Sequence, residues 1–228
     1  MITSILDYLD QSAQLWAEKI AIADDKNHLS FLQWKDLAER IGTVVAQATN
    51  KALRSPVLVF TDRKIECLVG FMGVVESGNF YVPIDSRMPF ERVRLIVEVL
   101  DPIAAIAITE SDQKTLKQIS FDKPIITYSE SIQQKKDIDY LLSVRNQMID
   151  LDPVYSIFTS GSTGIPKGVL ISQRGMIDLA DWLVDTFNFT HEDALGNQTP
   201  FYFDGSVKDI CICLKAGATL NIIGKKYI

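Results

Sequence analysis

Residues 159–168 contain the residue types that bind a polyphosphate. Glycines in this segment let the backbone turn so that successive N–H groups converge on one point. Hydroxyl side chains add further donors, and Lys167 adds a full positive charge. Phosphate oxygens need many donors and compensation of their charge. The predicted phosphate-binding residues are Thr159, Ser160, Gly161, Ser162, Thr163, Gly164 and Lys167.

The residues on either side of this segment predict a hairpin. Apolar residues alternate over residues 154–159, and residues 168–172 have a second strand-like pattern. A P-loop would need glycine directly before the lysine and a helix after it, whereas Pro166 precedes Lys167 and a strand follows. The composition alone leaves one alternative open, a flexible Gly/Ser surface turn that binds nothing.

The complete string TSGSTGIPKG, residues 159–168, is far more specific, because it resembles the signature loop of the adenylate-forming superfamily. That superfamily includes nonribosomal peptide synthetase adenylation domains, D-alanine–carrier-protein ligases, acyl-CoA synthetases and luciferases. Residues 29–37 and 72–85 resemble two earlier family segments, for which the resemblance implies structural roles. It also implies that the loop binds ATP with Mg2+, and that Lys167 acts in catalysis by holding the departing phosphates.

Residues 203–207, with the sequence FDGSV, resemble the amino-acid-activating branch of the superfamily. There the aspartate receives the α-ammonium group of the substrate, so the resemblance implies that Asp204 and the adjacent Phe203 bind the substrate. A carboxylate beside an apolar segment would bind a cation strongly. The alternative is a helix N-cap, since Asp204 and Ser206 precede an apolar helical pattern. Given the phosphate loop upstream, we favour the ammonium site.

The resemblance implies two half-reactions. An amino acid is activated by ATP as an aminoacyl adenylate, and the phosphopantetheine thiol of a carrier protein then captures the acyl group. An acyl-CoA or aryl-CoA synthetase, or a non-catalytic nucleotide-binding module of the same fold, remains an alternative. Within the amino-acid branch, a stand-alone D-alanine ligase and a peptide synthetase module both remain open. One departure from the family is Gln173, where many relatives have histidine, and we assign it no proton-transfer role.

Short β-branched runs alternate with helical apolar patterns along the chain, which predicts an α/β fold with a doubly wound, mostly parallel sheet and flanking helices. Residues 129–151 are polar and are predicted to form a surface excursion or linker. We therefore expect an N-terminal α/β lobe at residues 1–150 and the start of a second lobe at residues 151–228. The predicted strands are residues 20–24, 28–31, 56–61, 80–83, 103–109, 124–128, 154–159, 168–172 and 218–223.

The family's later motifs and its C-terminal domain, with a catalytic lysine, have no counterpart in this sequence. The chain is therefore expected to be an incomplete, N-terminal part of an adenylation fold that does not complete the reaction alone.

The bulk composition excludes several functional classes. Lys and Arg total 23 against 29 Asp and Glu, a net charge of -6, which argues against nonspecific binding to nucleic acid or anionic membranes. No signal peptide or membrane span is predicted, so membrane insertion is not expected and the cytoplasm is the expected location. With 3 Cys and 2 His, no metal site is predicted. Cys211 and Cys213 lie in an apolar stretch and are expected to be buried.

Overall fold

Two β-sheets form the framework of the chain, which a computed structural model describes for residues 2–159 and 166–224. The strands are β1 (Ile20–Ala23), β2 (His28–Ser30), β3 (Pro56–Thr61), β4 (Phe80–Asp85), β5 (Ala104–Ala107), β6 (Ile125–Thr127), β7 (Pro153–Thr159), β8 (Lys167–Ser172), β9 (Ala194–Asn197) and β10 (Thr219–Ile222). The helices are α1 (Ile5–Leu15), α2 (Phe31–Ala48), α3 (Ile65–Glu76), α4 (Phe90–Leu100), α5 (Glu110–Gln118), α6 (Tyr128–Ser131), α7 (Ile138–Arg145), α8 (Gln173–Phe187) and α9 (Val207–Ala216), with a short 3-10 helix at Asp204–Ser206.

The larger sheet has six strands in the order β6-β5-β3-β4-β7-β8. Its neighbouring strands are parallel except for the pair β7 and β8, which is antiparallel. Helices cover both faces. In β3, Val57 and Val59 join the core under α2 and α3, whereas Leu58 and Phe60 join a second core under α4 and α5. The predicted doubly wound, mostly parallel α/β fold is therefore confirmed.

The smaller sheet has four strands in the order β2-β1-β10-β9, of which only β1 and β2 are antiparallel among the described strands. Each sheet combines strands from both sides of residue 150, so neither of the two predicted segments has a sheet of its own. The reason is that parallel strands pair across long stretches of sequence, as β10 does with β1. The larger core lies between the sheets and contains residues of both.

Residues 129–151, predicted to form a surface excursion or linker, are mostly exposed but include a helix that contacts the core. The segment contains α7, in which Leu141 and Val144 are buried. Arg145 in the same helix forms ion pairs with Asp7 at 2.9 Å and with the buried Glu76 at 3.4 Å. The helix was not predicted because its sequence is largely polar and only two of its residues, three positions apart, are buried.

Cys211 and Cys213 are buried, as expected, and Cys67 is buried as well; all three are free. Burial raises the pKa of the Cys67 and Cys213 thiols to about 12. Within the described residues, no helix has both the length and the apolar character to cross a bilayer.

Gln173, the departure from the family pattern, ties the start of α8 to the start of α1. Its side chain is 1% exposed, and Oε1 accepts a hydrogen bond of 2.9 Å from the backbone N–H of Ile5. The same oxygen accepts a 3.4 Å bond from the hydroxyl of Ser4, the N-cap of α1. Gln173 therefore satisfies one of the free N–H groups at a helix start.

We expect Gln173→Ala to lower the free energy of unfolding by about 1–3 kcal/mol, because it leaves the buried N–H of Ile5 without a partner. Urea denaturation measures this. Arg174→Ala is the matched control, since Arg174 is the next residue of α8 but is exposed and paired with Asp150. Equal destabilisation by the two substitutions would contradict a structural role for Gln173.

Candidate active site

The hairpin predicted around the phosphate segment is present. β7 and β8 pair antiparallel along their length, and Thr159 lies opposite Lys167 in the register. The Thr159 hydroxyl donates a 3.4 Å hydrogen bond to the carbonyl oxygen of Lys167. Thr159 and Lys167 are both exposed. The other predicted phosphate-binding residues lie outside the described residues: Ser160, Gly161, Ser162, Thr163 and Gly164.

A cavity of about 590 Å³ lies beside the hairpin. Its walls come from β4, α4, the hairpin β7–β8 and residues 202–204. Of the residues predicted from the sequence to bind ligands, Thr159, Phe203 and Asp204 line this cavity. Lys167 is not among the lining residues. Thr159, the first residue of the phosphate segment, therefore lines the same cavity as the predicted substrate-binding pair, although Thr159 and Asp204 are 45 positions apart in the sequence.

The side chain of Asp204 is available to a ligand. It is exposed at the start of the 3-10 helix, and neither that helix nor α9 has a side-chain cap at its N-terminus. The Ser206 hydroxyl instead donates a 2.8 Å hydrogen bond to the carbonyl oxygen of Phe203. The N-cap alternative for Asp204 therefore has no support in the hydrogen bonding of the described residues.

Packing on both sides holds the segment that carries Asp204. Phe201 is 4% exposed, and its ring meets the ring of Phe71 edge-on with centroids 5.8 Å apart. On the other side, α9 buries an apolar face, and Asp209 accepts a 3.0 Å hydrogen bond from the Asn197 side chain at the end of β9. Asp204 thus follows a fixed aromatic anchor and precedes a fixed helix, so its position is well determined.

Neutral hydroxyl groups complete the polar part of the cavity. Burial, with smaller contributions from Cys211 and the carboxylate of Asp204, raises the pKa of Tyr155 to about 12. Burial and the nearby carboxylate of Asp85 also raise the pKa of Tyr202. Both phenols therefore stay protonated near neutral pH. The Tyr202 hydroxyl is hydrogen-bonded to Asp85, so Tyr155 is the phenol that can donate a hydrogen bond to a ligand. Within residues 2–159 and 166–224, no group of three or more His, Cys, Asp and Glu residues is arranged to hold a metal ion.

Arg92, Tyr155 and Tyr202 line the cavity but were not predicted from the sequence to bind a ligand. Residues 154–159, which include Tyr155, were predicted only as a strand. The pattern that could have located Arg92 is its spacing of four from Ile96, since residues four apart lie on one face of a helix. Met88, Arg92 and Ile96 all line the cavity.

The sequence matches the family model described as "AMP-binding enzyme" over residues 9–226, which is nearly the whole chain. The chain belongs to this family of adenylate-forming enzymes. The resemblance of residues 159–168 to the signature loop is therefore confirmed at the level of the family, and membership implies use of ATP.

Curated relatives of this AMP-binding chain include D-alanine–D-alanyl carrier protein ligases of staphylococci. The ligase of Staphylococcus haemolyticus (strain JCSC1435) is 32% identical over 229 residues, an alignment that covers 100% of this chain and 44% of the ligase. The ligase of Staphylococcus aureus (strain Newman) is 29% identical over 227 residues, with the same coverage. The chain therefore spans less than half the length of these relatives.

Solved structures of low sequence identity share the fold. VinN superposes with a TM-score of 0.83 at 18% identity, covering 98% of this chain and 57% of VinN. The nonribosomal peptide synthetase FmoA3 (S1046A) superposes with a TM-score of 0.78 at 20% identity, covering 97% of this chain and 23% of the synthetase. These matches confirm that the chain has the fold of an N-terminal part of an adenylation domain.

Close packing between β7 and β8 requires glycine at position 168. A Cβ added at Gly168 would lie 3.0 Å from the Phe158 ring and 3.0 Å from the Ser156 hydroxyl. We expect Gly168→Ala to lower the free energy of unfolding by about 1 kcal/mol, because the Phe158 ring, which lines the cavity, must shift. Urea denaturation measures the change.

Gly175→Ala is the control for this substitution. A Cβ at Gly175 would meet Ile171 at an ordinary 3.4 Å, and Gly175 lies in the first turn of α8. Alanine favours a helix over glycine, so this change should leave stability equal or slightly higher. If Gly168→Ala were as stable as Gly175→Ala, the close packing in the hairpin would be refuted.

Proposed function

We propose that this chain forms the nucleotide- and amino-acid-binding part of an enzyme that activates an amino acid as an aminoacyl adenylate. The observation that carries the proposal is the shared cavity. Thr159, at the start of the phosphate segment, and the exposed carboxylate of Asp204 line the same walls. Adenylation needs this proximity, because the substrate carboxylate must reach the α-phosphorus of ATP while the ammonium group is held elsewhere.

The proposed first half-reaction is a displacement at phosphorus. A carboxylate oxygen of the amino acid attacks the α-phosphorus and forms a new O–P bond. The bond from the α-phosphorus to the oxygen that bridges to the β-phosphorus breaks, and pyrophosphate leaves. Thr159, residues 160–164 and Lys167 would bind the β- and γ-phosphates, which is the catalytic role proposed for Lys167. Mg2+ would arrive bound to the nucleotide and add charge compensation there.

An amino-acid substrate fits Asp204 better than a fatty or aromatic acid does. A carboxylate next to apolar walls attracts a cation more strongly than it would in open water. The wall beside it includes Phe203 and Ile157. A fatty or simple aromatic acid has no ammonium group, so it would leave this carboxylate without a partner. The geometry therefore favours amino-acid activation over an acyl-CoA or aryl-CoA synthetase.

The proposed second half-reaction transfers the acyl group to the phosphopantetheine thiol of a carrier protein. The sulfur forms a bond to the acyl carbon, the bond to the phosphate oxygen of AMP breaks, and the thiol proton is lost. Support comes from the curated relatives, which are D-alanine–D-alanyl carrier protein ligases. D-alanine is accordingly the first substrate to test, with peptide synthetase substrates as the next group. In this proposal residues 151–228 supply most of the ligand-binding groups, and residues 1–150 supply most of the framework. The reaction takes place in the cytoplasm.

We expect Asp204→Asn to weaken amino-acid binding about tenfold or more and to leave ATP binding unchanged, because only the ammonium group loses its charged partner. Isothermal titration of the 228-residue chain with D-alanine, other amino acids and ATP measures both effects. Asp178→Asn, which removes an exposed carboxylate of α8, is the control. Unchanged amino-acid binding by Asp204→Asn, or an equal loss of ATP binding, would exclude the proposed role of Asp204.

A further inference from the structure

Arg92 lines the candidate cavity on the side formed by α4. It lies in the first turn of that helix and is half-buried. Three apolar residues of the core packed against α4 also line the cavity: Met88, Ile96 and Phe158. A guanidinium group in such a wall has lost part of its hydration, and that loss favours any ligand group that restores hydrogen bonds to it.

Within the described residues, the guanidinium group of Arg92 forms no hydrogen bond and no ion pair. The acidic residue next to it does not neutralise it, because Glu91 forms an ion pair with Arg94 at 2.9 Å. Arg94 also pairs with Glu98 at 2.5 Å. The two arginines of this helix therefore differ: the charge of Arg94 is compensated at the surface, whereas the charge of Arg92 is available at the cavity.

The cavity thus offers two opposite charges that do not satisfy each other. Asp204 lies in the wall formed by residues 202–204, and no ion pair joins it to Arg92. The other lining residues include apolar side chains such as Ile96, Ile157 and Phe158. A ligand that matches this cavity has a cationic group, an anionic group and an apolar part. An amino acid with an apolar side chain has all three features.

We propose that Arg92 binds a carboxylate of the amino-acid substrate while Asp204 binds its ammonium group. The inference rests on the proposed function of the cavity and adds a second charged contact to it. Arginine suits this role because its planar guanidinium group can form two parallel hydrogen bonds to one carboxylate. The carboxylate is either the α-carboxylate or one in the amino-acid side chain, and the two sources are separated by the choice of probe.

Binding of four small molecules to the 228-residue chain is measured by titration, with NMR chemical-shift changes as the readout. Alanine has both an ammonium group and an α-carboxylate, alaninamide has only the ammonium group, propionate has only the carboxylate, and aspartate has a second carboxylate. The variants are Arg92→Gln, Asp204→Asn and the control Arg94→Gln, which removes an arginine from the same helix outside the cavity. Melting temperatures show whether each variant is folded.

We expect Arg92→Gln to weaken the binding of carboxylate probes about tenfold and to leave alaninamide unchanged, since one charged hydrogen-bonding contact is lost. Asp204→Asn should weaken alanine and alaninamide but not propionate. A loss for alanine and propionate assigns the α-carboxylate to Arg92, and a loss for aspartate alone assigns the side-chain carboxylate. Either result supports the proposal.

The proposal is overturned if Arg92→Gln matches Arg94→Gln for every probe, or if it weakens alaninamide as much as alanine. If the proposed function is wrong, the result is different: Asp204→Asn leaves the binding of alaninamide unchanged, while Arg92→Gln still weakens the binding of propionate. If none of the probes binds the wild-type chain, the amino-acid role of the cavity and the role of Arg92 are both refuted.

Discussion

The candidate site depends on the way two strands are added to the edge of the parallel sheet. β7 lies parallel to β4, so Thr159 at its end faces the same edge of the sheet as the end of β4. β8 then returns antiparallel to β7, which a short connection allows, whereas a parallel return would need a crossover of a dozen or more residues. Thr159 and Lys167, which the structure describes, therefore lie at the carboxyl end of β7, on the side of the sheet where open α/β sheets bind their ligands.

The position of Asp204 depends on elements from the opposite end of the chain. Helix α9, which follows the 3-10 helix of Asp204, is held by α1, where the Ser12 hydroxyl donates a 2.7 Å hydrogen bond to the carbonyl oxygen of Leu214. Lys19 donates hydrogen bonds to Gly217 and Thr219 just after α9. The pairing of β10 with β1 completes this connection. Ser12, Lys19 and β1 do not line the cavity, but they hold the helix that follows Asp204.

Local patterns were enough to predict much of this from the sequence. The alternation before Thr159 and the proline before Lys167 predicted the hairpin, and the β-branched run at residues 56–61 predicted β3 with the bounds that the structure has. The signature string predicted the phosphate segment and FDGSV predicted Asp204 as site residues, and Thr159, Phe203 and Asp204 line one cavity. These features depend on residues close together in sequence, for which propensity and spacing are informative.

Other features depend on contacts that no local pattern contains. The pairing of β1 with β10 joins residues about two hundred positions apart, so the division near residue 150 could not show that each sheet combines both segments. α7 was missed because its composition is polar and only Leu141 and Val144 face the core. Arg92 resembled any surface arginine, since its lack of a partner and its place in the cavity follow from the packing of α4.

The central claim is that the phosphate segment and Asp204 serve one ligand. The most direct measurement is a crystal structure of the chain bound to a non-hydrolysable aminoacyl-adenylate analogue. If the phosphate segment and Asp204 bind one ligand, the ammonium nitrogen lies within about 3 Å of the Asp204 carboxylate and the phosphate mimic lies beside Thr159. An analogue bound away from this cavity, or an ammonium group held by another residue while Asp204 faces solvent, would contradict it.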